Sequence, residues 1–305
     1  MSQAFVDRLQ VGRRFSRAAA NYDQADFFVR EVDRRMQERL DYVNIQPARI
    51  VDLGCSRGGS FAGLAARYPQ AQLIGLDISP AMLQAGQVPR AGWQRWLGRG
   101  RQNAVQRLAA DAVKLPLKSQ STAIVWSNLM LHWLDDPLPA LAEAHRVLEA
   151  GGLIMFSTLG PDSLKELRSA FADGYAHTQR FIDMHDFGDM LVGCGFADPV
   201  MDMETIRLSF ETPARLLAEL RGLGRNLHVA RFAALRTPAW RRRLEEALER
   251  ELRPADGGPL VLSFEVLYGH AVKPAPRHTI AARTEISLDQ MRTSLRQRNR
   301  NLPTL

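Results

Sequence analysis

The spacing of apolar positions changes along the chain. Within residues 1–44 apolar side chains recur at helical spacing, which predicts a helical N-terminal section. From residue 45 onward, short apolar runs alternate with amphipathic stretches, and this predicts strands alternating with helices. Such an order is typical of a parallel sheet with helices on both faces. Five strands are predicted in this part: Arg49–Leu53, 73–76, Gln106–Ala109, Thr122–Ser127 and 153–157.

In the second half of the chain, a long helical segment is predicted between two further strands of the sheet. A helix is predicted at 138–148, stopped by the glycine pair 151–152, and residues 163–196 are predicted to be mostly helical. A sixth strand is predicted at 200–208, and residues 213–251 are predicted to be helical with a break near 222–224. The alternating segment Leu260–Val272 then predicts a last strand of the same sheet, so that 209–258 is a helical insertion over its C-terminal edge.

Composition narrows the class of protein. The chain has 305 residues, of which 46% are hydrophobic and 24% charged, so it can bury a core without covalent staples. Its two cysteines, Cys55 and Cys194, exclude a disulfide scaffold and a cysteine-rich zinc site. Apolar runs stay well below the ~20 residues of a membrane span, and the N-terminus lacks an apolar signal core. We therefore predict a cytoplasmic protein with no metal and no membrane partner.

The positive charge is concentrated at the C-terminus. The formal net charge is +7, and residues 271–305 contain seven basic and two acidic residues. We predict that 273–305 is a basic, largely disordered tail. Because the rest of the chain is nearly balanced, we expect no nucleic-acid partner.

One segment carries the pattern of a nucleotide-binding loop. Residues 51–59 read Val-Asp-Leu-Gly-Cys-Ser-Arg-Gly-Gly, directly after the first strand and before a helix. Glycines there allow a sharp turn and close approach of a ligand. Asp77 ends the second strand, where a carboxylate can accept hydrogen bonds from ribose hydroxyls. Together, the loop and Asp77 predict a site for an adenosine-containing ligand. The structural alternative is a turn without a ligand and an Asp77 that caps the next helix.

This loop does not match the nicotinamide fingerprint; it resembles the D-x-G-C-x-x-G motif of class I S-adenosylmethionine-dependent methyltransferases. Asp111, the segment 126–133 around Asn128, and the turn 146–152 fall where that class has its later motifs. Ser56 replaces a common glycine, and Ala123 stands where an acid is common. The resemblance implies a Rossmann-like, doubly wound α/β sheet, mostly parallel with its last strand antiparallel. It also implies a helical lid at 1–44 and the methyltransferase domain at 45–272.

The resemblance also implies which residues bind the cosubstrate, S-adenosylmethionine. Asp52 would lie near its amino group, Asp77 would hold the ribose hydroxyls, and Asp111 would lie beside the adenine. Cys55 lies in the glycine-rich loop and is interpreted as a small loop residue and not as a nucleophile. The full expected binding set is Asp52, Gly54, Cys55, Gly58, Asp77, Ile78, Asp111, Ala112 and Asn128.

A narrower resemblance points to the substrate. The segments 15–23, 158–167, 180–181 and 220–226 are similar to the malonyl-acyl-carrier-protein O-methyltransferases of biotin biosynthesis. That family implies methyl transfer to the free carboxylate of a malonyl thioester on acyl carrier protein, an acidic partner that surface arginines would attract. Malonyl-coenzyme A stays open as the thioester, and we expect a monomer.

Three residues are candidates for the substrate end of the site. Arg180 and Tyr22 could hold one carboxylate oxygen, and His132 leaves the fourth strand beside the expected cosubstrate. Each has a structural alternative: a surface cation for Arg180, a packed ring for Tyr22 and a buried structural histidine for His132.

Other functions remain open at this point. Residues 29–36 also resemble the mitochondrial complex I assembly factor that hydroxylates an arginine. The basic charge would suit a methyltransferase acting on RNA or protein. The departures at Ser56 and Ala123 would suit a binding module that retains the cosubstrate without chemistry.

Overall fold

A computed structural model gives the architecture of residues 6–87, 105–171, 174–224, 226–232, 234, 236–276, 287 and 289. Contacts divide the chain into a unit Met1–Pro274 and a unit Ala275–Leu305. Most of the tail that we predict to be disordered lies outside the described residues. The same holds for most of the segment 86–109, a long connection in which the sequence has five arginines. None of the helices described is long and apolar enough to pass through a membrane.

Seven strands form one mixed sheet in the order β3-β2-β1-β4-β5-β7-β6. β1 to β5 are parallel neighbours, and β7 runs antiparallel to both β5 and β6. The predicted mostly parallel sheet with an antiparallel last strand is thus confirmed. The strands are β1 Arg49–Leu53, β2 Gln72–Asp77, β3 Gln106–Ala109, β4 Thr122–Ser127, β5 Leu148–Leu159, β6 Ala197–Phe210 and β7 Leu260–Val272.

The order of the strands in the sheet reverses between β1 and β4, because β2 and β3 lie on one side of β1 and the later strands lie on the other. In open α/β sheets, ligands bind beyond the carboxyl ends of the strands at such a switch point. Asp52, Asp77 and Asn128 are at or just beyond these ends, which brings the predicted cosubstrate residues to one edge.

The helices within the described ranges surround this sheet. Five of them begin after a side chain that caps the first turn: Asp7 before α1, Ser79 before α4, Asp183 before α7, Thr212 before α8 and Thr237 before α9. Their bounds are α1 Arg8–Ala18, α2 Phe27–Arg39, α3 Phe61–Arg67, α4 Pro80–Ala85, α5 Leu138–Val147, α6 Lys165–Ala170, α7 Met184–Gly193, α8 Pro213–Leu223 and α9 Pro238–Leu252.

Several predicted boundaries are wrong. α5 ends at Val147, and β5 starts at once with Leu148, so the glycine pair lies inside the strand and does not end the helix. The pairing of β4 with β5 shifts register between Thr122 and Ile124, and Gly151 has φ +80°, as expected where an irregularity takes up extra residues. Residues 163–196 are less helical than predicted, since α6 and α7 are the only helices among the described residues of this range. After the break predicted near 222–224, the next helix with described bounds, α9, starts only at Pro238.

The core lies on both faces of the sheet. On one face Phe28, Val32, Met36 and Leu40 pack with buried residues of β4 and β7. On the other face, α5 and α7 cover β1, β4 and β5 through side chains such as Phe187. A buried aliphatic or aromatic side chain stabilises the fold by roughly 1.5–3 kcal/mol. Within the predicted lid 1–44, therefore, α2 is a layer of the core, whereas α1 packs against α4 through a smaller cluster.

Candidate cosubstrate and substrate site

A cavity of about 360 Å³ opens at the carboxyl ends of β1, β2 and β4. Its volume is within the range of small-molecule sites, roughly 300–1,000 Å³. One end is lined by buried carboxylates, including those of Asp52 and Asp77. Aromatic and aliphatic side chains line much of the remainder: Phe15, Trp133, Leu164, Leu167, Phe171, Phe181, Leu217 and Leu220.

The turn after β1 requires glycine for two different reasons. Gly54 has φ +73° and faces the cavity, and a Cβ there would lie 2.3 Å from Met130 Cγ. Gly58 has φ +90°, and a Cβ would lie 2.3 Å from Cδ2 of Phe61. Gly58 is absent from the described lining residues, so it affects the site through the shape of the turn. Ser56 has φ +49°, which explains why glycine is common at this position in related loops.

Asp52 is buried in β1 with one oxygen, Oδ2, that has no hydrogen-bond partner in the described part of the chain. Burial raises the pKa of its carboxyl well above the ordinary value, and the nearby carboxylates of Asp33 and Asp77 raise it further. A buried carboxyl in this state is stabilised by a cationic partner. The ammonium group of S-adenosylmethionine is such a partner, so the residues present fit the cosubstrate.

Asp77 is held by the backbone on both sides. Its Oδ2 accepts from the amide of Ser56 at 2.9 Å, and its Oδ1 accepts from the amide of Ser79 at 2.7 Å. Burial nevertheless raises the pKa of this carboxyl. Each oxygen keeps a further acceptor position, which is the arrangement needed to accept hydrogen bonds from two ribose hydroxyls. Ile78 lines the cavity next to it.

The remaining predicted cosubstrate residues also line the cavity. Asp111 accepts from Arg8 Nη1 at 2.7 Å, and Ala112 follows it. Asn128 donates from Nδ2 to the carbonyl of Val29 at 2.9 Å, and its Oδ1 accepts from the hydroxyl of Ser157 at 2.7 Å. Asn128 therefore connects α2 to β5 beside the cavity.

Cys55 is buried at the cavity wall, and burial raises the pKa of its thiol. A thiol in this state is a poor nucleophile at neutral pH. This supports its interpretation as a small residue of the turn.

The three predicted substrate residues are placed differently. Tyr22 is buried at the cavity, and burial raises its pKa to about 12. His132 also lines the cavity; its Nδ1 is buried and has no hydrogen-bond partner among the described residues, and burial lowers its pKa to about 3. Arg180 is exposed and lies between Gln179 and Phe181, both of which line the cavity, while Arg180 itself is not among the described lining residues. Its role as a carboxylate clamp stays a prediction.

Sequence reasoning missed several polar residues that line this cavity, among them Asp33 and Gln179. Asp33 is the one acid among the buried residues of α2, which are otherwise apolar. An acid next to the apolar positions of a core helix was the feature of the sequence that could have identified it. Gln179 has a buried Oε1 without a partner in the described ranges, but it comes from a loop whose sequence has no distinctive pattern.

The buried state of His132 predicts a pH effect on stability. The unfolded chain takes up a proton on this histidine below about pH 6.5, whereas the folded protein does not until about pH 3. Lowering the pH from 7 to 5 should therefore cost the wild type up to about 2 kcal/mol more than His132→Gln, as measured by urea unfolding. Equal losses in the two proteins would show that His132 is protonated in the folded state.

Comparisons with known proteins agree with this geometry. A family model described as a methyltransferase domain matches residues 51–156, which contain most of β1, all of β2 to β4 and most of β5. The solved structures of YcgJ from Bacillus subtilis and of a putative methyltransferase from Bacillus halodurans each superpose with a TM-score of 0.55. They share 13% and 15% identity and cover 81% and 80% of this chain, and 99% and 100% of their own chains. At this identity they support the fold alone.

Curated relatives extend the similarity to nearly the whole chain. A protein of Gallionella capsiferriformans named malonyl-[acyl-carrier protein] O-methyltransferase is 46% identical over 283 residues, which is 91% of this chain and 94% of the relative. A protein of Laribacter hongkongensis with the same name is 46% identical, over 91% of this chain and 93% of the relative. The similarity thus includes the predicted lid and the helical insertion as well as the sheet. The chain belongs to the malonyl-[acyl-carrier protein] O-methyltransferase family.

Proposed function

We propose that this protein transfers a methyl group from S-adenosylmethionine to the free carboxylate of malonyl-acyl carrier protein. The state of two residues of the cavity is compatible with a carboxylate nucleophile. The pKa of His132 lies near 3 and that of Tyr22 near 12, so neither of these cavity residues acts as a general base at neutral pH. A carboxylate needs no base, because it is already ionised.

The chain's own contribution is then binding and alignment. S-adenosylmethionine supplies an electrophilic methyl group on a positively charged sulfur. We assign its amino group to Asp52, its ribose to Asp77 and Ile78, and its adenine to Asp111 and Ala112. Gly54, Cys55, Gly58 and Asn128 shape the turn and the wall around it. Holding the carboxylate oxygen in line with the methyl group and the sulfur can supply several kcal/mol of the barrier reduction.

We assign the apolar part of the cavity to the malonyl thioester. Its aromatic walls exclude water, which leaves the carboxylate less solvated and more reactive. Neutral His132 could hold one oxygen through a hydrogen bond without neutralising the charge that the reaction needs. Tyr22 lies on the side of the cosubstrate turn and would close the site.

Positive charge near the cavity suits an acidic carrier protein. Arg221 lines the cavity, and Arg231 lies on the segment that follows α8. We assign both to the surface that a carrier would approach with its thioester. Complementary charge of this kind raises association rates and weakens with salt. Arg225, a third candidate, lies outside the described residues. We further propose that the enzyme works as a monomer in the cytoplasm, and its two free cysteines are compatible with a reducing compartment.

The substrate assignment is tested by comparing three thioesters. Release of S-adenosylhomocysteine is expected with malonyl-acyl carrier protein but not with acetyl-acyl carrier protein, which lacks the free carboxylate. Malonyl-coenzyme A, which lacks the protein partner, is expected to react with a higher KM. Equal turnover of the malonyl and acetyl substrates would reject the carboxylate as the methyl acceptor.

Arg180→Ala tests the carboxylate clamp separately. If Arg180 holds the malonyl carboxylate, kcat/KM for malonyl-acyl carrier protein should fall by roughly tenfold to a hundredfold, because a charge-assisted hydrogen bond is lost. Arg168→Ala, on the exposed face of α6, is the matched control. Full activity of Arg180→Ala would discard the clamp while leaving the methyl transfer itself intact.

A further inference from the structure

Asp33 is a buried carboxylate on α2 that lines the same cavity as Asp52 and Asp77. Only 6% of its surface is exposed. Three side chains donate to it: Ser60 Oγ at 2.6 Å, Gln37 Nε2 at 2.5 Å and Trp126 Nε1 at 3.2 Å. A carboxylate has about four acceptor positions, so these bonds fix its orientation and leave room for one more donor.

The sheet places Asp33 and Asp52 on the same side. Trp126 of β4 is the register partner of Asp52 of β1 in a parallel pair. Register partners on adjacent strands point to the same face and lie about 5 Å apart. Because Asp33 accepts from the indole of Trp126, its carboxylate lies on the face where the Asp52 side chain enters the cavity. The two charges interact, since Asp33 is among the groups that raise the pKa of Asp52.

Neither carboxylate forms an ion pair within the described residues, although the more distant charge of Arg107 partly offsets the raised pKa of Asp52. The guanidinium of Arg107 donates to the carbonyls of Arg57 and Gly86 and to neither of the two acids. Three arginines that line the cavity pair with other acids: Arg8 with Asp111, Arg30 with Asp26 and Arg57 with Asp23. Two buried carboxylates on one wall without a direct ion pair are costly unless a ligand supplies positive charge in contact with them. The unpartnered Oδ2 of Asp52 indicates the same requirement.

We infer that Asp33 and Asp52 together form a two-carboxylate subsite for the ammonium group of the cosubstrate's amino-acid end. The inference rests on the proposed function only through the identity of the cosubstrate. Asp33 is thus a binding residue that the core helix α2 contributes to a site otherwise built from the sheet edge. This gives the N-terminal section a direct part in recognising the cosubstrate.

Binding of two nucleosides to the variant Asp33→Asn tests the inference. S-adenosylhomocysteine carries the ammonium group, whereas 5′-methylthioadenosine has the same adenosine and a thioether but no amino acid. Calorimetry should show that Asp33→Asn weakens the binding of S-adenosylhomocysteine by roughly tenfold or more, because a charge-assisted contact is lost. The affinity for 5′-methylthioadenosine should stay within about twofold of wild type, because that ligand does not reach the carboxylates.

Gln37→Ala is the matched control, because it removes one donor to Asp33 and keeps the charge. It should change the affinity for S-adenosylhomocysteine much less than Asp33→Asn does. Equal weakening of both nucleosides by Asp33→Asn would show that Asp33 only anchors α2, and an unchanged affinity for S-adenosylhomocysteine would also overturn the inference. If Asp33→Asn does not fold, Asp33→Ser is expected to show the same selective loss.

These outcomes are separable from a failure of the proposed function. The binding assays contain no acyl substrate, so selective loss in Asp33→Asn would support the subsite even if malonyl-acyl carrier protein were not methylated. Conversely, a wild type that binds neither nucleoside would overturn both the subsite and the cosubstrate assignment.

Discussion

Asp77→Ala is expected to weaken the binding of S-adenosylhomocysteine by at least about a hundredfold. The carboxylate would lose two hydrogen bonds from ribose hydroxyls, and hydrogen bonds to a charged group contribute about 1.5–3 kcal/mol each. The change also leaves the amides of Ser56 and Ser79 without the acceptor that orients the turn. A loss of about 3 kcal/mol in binding corresponds to roughly a hundredfold in Kd. Calorimetric titration of the purified variant measures it.

The control for Asp77→Ala is Asp41→Ala. Asp41 pairs with Arg67 at the surface, away from the residues that line the cavity, and its side chain is 62% exposed. Exposed ion pairs contribute little, so Asp41→Ala should bind S-adenosylhomocysteine as the wild type does. If Asp77→Ala stays folded in circular dichroism and its Kd changes by less than about threefold, Asp77 does not hold the ribose.

Gly58→Ala is the second change with a large expected effect, and the quantity that it changes is the free energy of unfolding. An alanine at φ +90° is strained, and its Cβ would collide with the Phe61 ring and approach Arg107 Nη2 to 2.9 Å. Backbone strain of about 1–2 kcal/mol and overpacking of about 1–3 kcal/mol should together lower the free energy of unfolding by roughly 3 kcal/mol. Urea unfolding measures this loss.

The neighbouring glycine provides an internal comparison for Gly58→Ala. At Gly59 the backbone has no positive φ, and a Cβ would meet no described atom within 4 Å. Gly59→Ala should therefore change the free energy of unfolding by less than about 1 kcal/mol. In addition, Phe61→Leu should relieve part of the collision, so that its effect and that of Gly58→Ala are not additive. Equal stability of Gly58→Ala and Gly59→Ala would contradict the geometry of the turn.

The sequence predicted those parts of the fold that have clear local signals. β1, β3, β4 and β7 have the predicted bounds, because each is a short or alternating apolar run between turn residues. The junction of α5 and β5 was predicted wrongly because Leu148 and the residues after it are compatible with a helix. Pairing with Thr122, more than twenty residues earlier in the chain, is what makes them a strand. Such a contact is not visible in a local pattern.

In the site, too, residues that belong to a sequence motif were predicted, whereas a residue placed by a long-range contact was not. Asp52 and Asp77 belong to a motif of fixed spacing, and the structure brings both to the cavity. Asp33 has no motif, and its position depends on a hydrogen bond to Trp126, which is 93 residues away. For Arg180, similarity to a family identifies the segment but not the direction of a side chain. The neighbouring Gln179 and Phe181 line the cavity, whereas Arg180 is exposed.

The most direct test of the proposed reaction is the fate of a labelled methyl group. The wild-type protein is incubated with S-adenosylmethionine labelled in its methyl group and with malonyl-acyl carrier protein, and the products are analysed by intact mass and fragmentation. We expect the label on the distal carboxylate of the malonyl group as a methyl ester, and we expect its loss in Asp77→Ala. Release of S-adenosylhomocysteine with the label elsewhere, or tight cosubstrate binding with no labelled ester, would contradict the account.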